Sequence, residues 1–265
     1  SGDMNADIDV GVHAASLDTG TIQNLSFEPG IKIYKSDLAF LLEGNSTIKT
    51  VDFSGLDTAG VGSFNSMLRD CSNLEYVNFT GFNTSLSTNF VYMFKGCTKL
   101  ADLDLSCFDT SSMIYMYGMF WGCESLTSLD LSNFNTSKVT NMFYTFCGCR
   151  NLETLDISSF DTSLVYDMSY MFTDCRKLAE INMSHFKTDT VNNFRYMFQN
   201  CTAVKTLDVS SFDTSEATRM DNMFAGCSAI TSLDLSNFNT SKVTNTSLMF
   251  YNCVNLKSLD VSSFD

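Results

Sequence analysis

Proline is almost absent from this sequence: Pro29 is the only one in 265 residues. No Pro-rich linker divides the chain, and no break in composition follows that residue. Positive charge is scarce as well. Sixteen Lys and Arg face thirty Asp and Glu, for a net charge of −14. That argues against nucleic acid and anionic membrane surfaces as partners, because cationic side chains supply most of the attraction to both. It favours a cationic partner instead. Charged residues make up only 17% against 44% apolar, so bulk disorder is excluded. No uninterrupted apolar run reaches the length of a membrane span. The opening SGDMNADID lacks the basic start and apolar stretch of a signal peptide. There is no CxxC, no phosphate-cradling glycine loop, no catalytic triad and no zinc motif, and the only histidines are His13 and His185. No catalytic residue, metal site or cofactor is therefore expected. The chain stops at Asp265 partway through a repeat, as a fragment of a longer protein would.

What the sequence has in abundance is repetition. Cys71, Cys97, Cys123, Cys149, Cys175, Cys201, Cys227 and Cys253 are each 26 residues apart. A phenylalanine column runs from Phe82 to Phe264 and a threonine column from Thr58 to Thr240 at the same spacing. The string SLDLSNFNTSKVTN at 128–141 recurs unchanged at 232–245. Ile22, Leu25 and Phe27 sit one period before Ile48, Val51 and Phe53, so the repeat starts before the first cysteine. A fixed period of this length marks a solenoid, in which each unit packs on its neighbours. The expected organisation is an N-terminal cap over residues 1–21 and a solenoid of about ten coils over residues 22–265.

One repeat, Leu126 to Asn151, shows the logic. Leu126, Leu129 and Leu131 form an LxxLxL strand, with Leu129 and Leu131 inward and Asp130 outward. Asn135-Thr136-Ser137 supplies turn and cap chemistry. Val139, Met142 and Phe146 follow at helical spacing, and Gly148 suits the left-handed residue that ends a helix. The fold expected is an α/β leucine-rich-repeat solenoid, right-handed. Its parallel sheet would lie on the concave side, with short helices or helical turns on the convex side. The alternative is a β-helix with no helical side, and the V-x-x-M-x-x-M-F spacing argues against it.

The LxxLxL strand, the cysteine in each repeat and the block N/D-T-S-x-V-x-x-M-x-x-M-F-x-x-C resemble the BspA-like leucine-rich-repeat surface proteins of bacteria, in the branch with 26-residue repeats. The resemblance covers roughly residues 22–265. It implies an extracellular, cell-surface or secreted protein, with host or microbial surface proteins or glycans as partners. It carries no catalytic motif.

The outward strand position reads Asp in seven of ten coils, among them Asp104, Asp130, Asp156, Asp208 and Asp234. These five are the candidate ligand-binding residues of a concave acidic stripe, for a cation, a basic ligand or a glycan. The structural reading is a hydrogen-bonded ladder that satisfies loop N–H groups, helped by the Ser column two residues on. Calcium fits poorly, since a flat column supplies few of the oxygens it needs. The cysteine column can be read as disulfides or as buried free thiols, and the thiol reading is preferred. Cys147 is off-column and expected to be exposed, and His185 is expected to be solvated. Trp121, the only tryptophan, is a candidate exposed aromatic anchor. A non-catalytic binding or adhesion module accounts best for these features. A structural spacer or stalk is the second reading.

Overall fold

The computed structural model describes residues 20–33 and 37–265. The expected cap lies outside them except for residues 20 and 21. The described chain winds into a solenoid of about nine turns. Each coil opens on a three-residue extended segment whose central apolar residue points inward. Strands β1 (Asn24–Ser26), β3 (Thr50–Asp52) and β5 (Tyr76–Asn78) pair in parallel. So do β6 (Ser128–Asp130) with β7 (Thr154–Asp156), and β8 (Ser232–Asp234) with β9 (Ser258–Asp260). Residues 102–104, 180–182 and 206–208 hold the same place in their coils without ladder pairing. Near the start, β2 (Ile31–Lys32) pairs with β4 (Leu56–Asp57). Gly55 lets those two coils approach, since a Cβ there would collide with the Phe27 and Glu28 carbonyl oxygens.

The opposite wall corrects the expected α/β architecture. Among the described residues there is no helix. Over residues 142–149 the Phe143 N–H donates to Asn141 Oδ1 at 2.8 Å, and the others take one of two kinds of partner. Met142, Tyr144, Phe146 and Gly148 donate to Asp167, Ser169, Met171 and Thr173 of the next coil, at 2.7–3.2 Å. Thr145, Cys147 and Cys149 donate three residues back, to Met142, Tyr144 and Phe146, at 3.1–3.2 Å. The result is a run of tight turns stitched sideways to the neighbouring coil. Tyr144 and Gly148 have φ of +58° and +75°, the left-handed residue that a turn of this kind needs at its third position. Gly148 is thus a turn residue rather than a helix stop. Parallel bridges link Asn141, Asp167, Asn193, Arg219 and Asn245 along this wall. Tandem turns bring a side chain inward every three or four residues. This is why Val139, Met142 and Phe146 imitate a helical stripe.

The interior between the walls is mainly apolar. Phe94, Phe120, Phe146, Phe172, Phe198, Phe224 and Phe250 stack at 5.6–5.9 Å with ring planes within 10°. Met116, Met142, Met168 and Met220 are fully buried beside them, filling a turn wall rather than a helix face. The threonine column is buried too. In several coils the hydroxyl bonds both backbone groups of one residue in the next coil. Thr136 Oγ1 donates to the Asp161 carbonyl and accepts from the Asp161 N–H, both at 2.8 Å. Thr162 does the same with Lys187, and Thr214 with Asn239.

Candidate functional site

The acidic column stands on the exposed face of the strand wall. Each three-residue strand points its first and last side chains outward, and the chain turns immediately after the last, the acidic one. There the Asp Oδ1 accepts the N–H of the residue two positions on. The Asp104, Asp130, Asp156, Asp208 and Asp234 carboxylates take the N–H groups of Ser106, Ser132, Ser158, Ser210 and Ser236 at 2.9–3.0 Å. Asn78 and Asn182 fill the same role at 2.9 and 3.3 Å. The serine column therefore acts within its own coil. The Ser210 hydroxyl adds a second bond to Asp208 at 2.6 Å. Hydrogen bonds from the paired serine hold the Asp104, Asp156 and Asp208 carboxyls below the usual range. For Asp234 the Ser236 N–H is the leading cause.

This arrangement uses one carboxylate oxygen and leaves the other free. Asp130 faces Asp156 in register, and Asp234 faces Asp260. Adjacent strands lie about 4.8 Å apart, so these charges repel by roughly 1 kcal/mol in water. A shallow groove of about 470 Å³ runs over Ser128, Asp130, Thr154, Asp156, Ser158 and Asn182. No group of three or more His, Cys, Asp or Glu placed to hold a metal ion occurs among the described residues. A second capping row on the same coils includes Asp109, Asn135 and Asp161, which accept from Ser111, Ser137 and Ser163 at 2.9–3.0 Å.

The remaining candidates fall elsewhere. Trp121 is half-buried on the turn wall rather than freely exposed. It is sandwiched between Tyr144, 4.4 Å away and nearly parallel, and the Lys95 ammonium, 4.5 Å from its ring centre. It does not approach the acidic column. His185 is not simply solvated, because Nε2 lies 3.1 Å from the Ile157 carbonyl oxygen of the preceding coil. His13 lies outside the described residues.

All ten cysteines are free. The eight in the column donate S–H to a carbonyl of the preceding coil at 3.0–3.2 Å. Cys147 is buried rather than exposed, and burial pushes its thiol up to about 12. Burial raises Cys71 and Cys227 to about 12 as well. These groups are protonated thiols at neutral pH and poor nucleophiles. Cys107 alone is exposed. Maleimide labelling of the native protein at pH 7.5 (~0.1 mM reagent) should therefore modify Cys107 first, with ten thiols titrating in denaturant without reductant. A denatured count of eight or fewer would mean that disulfides exist.

A profile of the family described as "Mycoplasma protein of unknown function, DUF285" matches residues 36–130, 125–207 and 180–265. The chain belongs to this family. No curated protein sequence matches. A leucine-rich repeat protein from Bacteroides ovatus superposes with a TM-score of 0.51 at 17% identity, over 89% of this chain and 58% of its own. The chain thus spans little more than half of that protein, and the likeness shows the leucine-rich-repeat solenoid fold. A leucine-rich repeat protein from Eubacterium ventriosum gives a TM-score of 0.34 at 17% identity, over 74% of this chain and 48% of its own. A leucine rich cell surface protein from Faecalibacterium prausnitzii gives 0.25 at 14% identity, over 93% and 89%. No helix among the described residues is long and apolar enough to cross a membrane.

Proposed function

We propose that this chain is a non-catalytic binding module of an extracellular bacterial surface or secreted protein, and that its strand face engages an extended cationic polypeptide. The observation that carries this reading is the row of carboxylates with one oxygen committed to its own coil and the other free. Asp104, Asp130, Asp156, Asp208 and Asp234 are all exposed in it. Repeated charge at coil spacing suits a repeated cationic ligand. It gives avidity along the solenoid rather than a single pocket. The resemblance to BspA-like proteins is consistent with that setting.

The test exploits asparagine, which already caps two coils of the column. Asp104→Asn, Asp130→Asn and Asp156→Asn together remove charge and keep each cap. A decalysine peptide should bind the parent, more weakly as salt rises. Affinity should fall at least tenfold in the triple variant, with an unchanged melting temperature. Because hydrogen bonding depresses several of these carboxyls, they stay ionised in mild acid, and binding should persist to about pH 5. A parent that ignores the peptide, or a variant that binds as well as the parent, would sink the proposal. The second reading, a spacer, is favoured by the exact recurrence of residues 128–141 at 232–245, and would leave both proteins inert.

A further inference from the structure

The turn wall has two left-handed columns, and the chain fills them differently. One, from Gly44 to Asn252, holds only Gly, Asp or Asn, residues that reach positive φ readily. The other, four residues earlier, places Tyr92, Tyr144, Tyr170 and Tyr196 at φ of 55–58°. Bulky side chains adopt that conformation only at a cost. The backbone does not ask for tyrosine here, since Asn222 occupies the same column at φ 58°.

These side chains form one continuous strip. Trp121, Tyr144, Tyr170 and Tyr196 stack at 4.4, 4.5 and 4.6 Å. Phe143 meets Tyr144 edge-on at 4.0 Å. The Tyr92 ring leans over Gly118, where a Cβ would collide with it. Stacking consumes the ring faces, so a sugar cannot lie on them, while the half-buried rings keep their edges accessible. Tyr115 and Tyr166, each 46% exposed, add to the same wall.

Both ends of the strip carry positive charge without full compensation. Arg195 lies 5.3 and 5.0 Å from the Tyr170 and Tyr196 ring centres. The buried Asp221 beside it already takes two bonds from Arg219, at 2.9 and 3.1 Å. Arg195 Nε stands 3.6 Å from that carboxylate and forms no hydrogen bond. At the other end, Lys95 covers Trp121 and Tyr92 and has no ion-pair partner among the described residues. In a chain of net charge −14, this placement is selective. Tyr, Trp and Arg together are the composition of binding hot spots. The strand face repeats and offers no unique register, whereas this strip occurs once.

We infer that the strip from Tyr92 to Tyr196 is a second interaction surface, which takes a polypeptide segment with apolar side chains set between acidic groups. It stands independently of the acidic row. To test it, the whole chain would be panned against a random dodecapeptide phage library, and the enriched peptides titrated by calorimetry. The enriched set should share apolar residues flanked by Asp or Glu. Affinity should drop at least tenfold in Tyr144→Asn and in Lys95→Gln, and stay the same in Asp130→Asn. Tyr144→Asn should fold, given Asn222, and its melting curve checks that it does. Absence of a consensus, or equal binding by Tyr144→Asn and Lys95→Gln, would make the strip a staple between coils and overturn the inference. A basic consensus abolished by Asp130→Asn would overturn it equally, by assigning binding to the strand face.

Discussion

Thr136→Val is expected to destabilise the fold by roughly 2–6 kcal/mol, although valine has nearly the same shape as threonine. The Thr136 side chain is 1% exposed, and its hydroxyl bonds both the N–H and the carbonyl of Asp161. Valine leaves both groups facing apolar surroundings. Each buried group left unsatisfied costs about 1–3 kcal/mol, and the two belong to one residue, so no rotamer relieves them. Thr136→Ser keeps the hydroxyl and loses one methyl, which should cost only about 1 kcal/mol. Urea denaturation should show a lower midpoint for valine at an unchanged slope. Amide exchange at Asp161 should accelerate. Equal stability of the valine and serine variants would show that the hydroxyl is not what joins these coils.

The second large effect concerns register. Deleting Met142–Asp167 removes one period of 26 residues and joins Asn141 to Met168. The new junction repeats an existing one, because Asn141 and Asp167 are bridge partners in adjacent coils. Every inward column stays in phase, so the shortened chain should fold cooperatively, with a denaturant slope lower by about a tenth. Deleting Met142–Thr154, half a period, instead joins a turn-wall residue to Leu155 in the strand. Strand positions would then stack on turn positions, and the threonine and cysteine columns would lose their partners. That variant should fail to fold as a single cooperative unit. Circular dichroism and size-exclusion chromatography would distinguish the two outcomes. Loss of folding in the 26-residue deletion as well would mean that the coils are not equivalent.

Much of this was readable from residue columns. Leu129, Phe134, Met142 and Cys149 are all buried, as a 26-residue period with apolar, sulfur and hydroxyl columns requires. The acidic column was visible too, and its capping role follows from Asp preceding a turn. The helices expected over Val139–Phe146 are absent for a specific reason. Inward positions at intervals of three and four satisfy an α-helix and a run of tight turns equally well. What separates them is where the N–H of Tyr144 goes, and its acceptor is Ser169, 25 residues ahead. The tyrosine strip was missed although Tyr144, Tyr170 and Tyr196 are one period apart, because Gly118 interrupts it and Trp121, from another column, fills the gap.

Residue columns alone establish the period, the inward direction of the leucine, phenylalanine and column cysteine positions, and the stacking of coils in register. Those follow from which residues avoid water, and composition at fixed spacing encodes that directly. That the second wall is stitched between coils rather than coiled within itself emerges from the folded chain alone. So does the placement of Trp121, clamped between Lys95 and Tyr144 rather than free. Both depend on contacts between residues about a full coil apart, whose partners exist only once the neighbouring coil is in place.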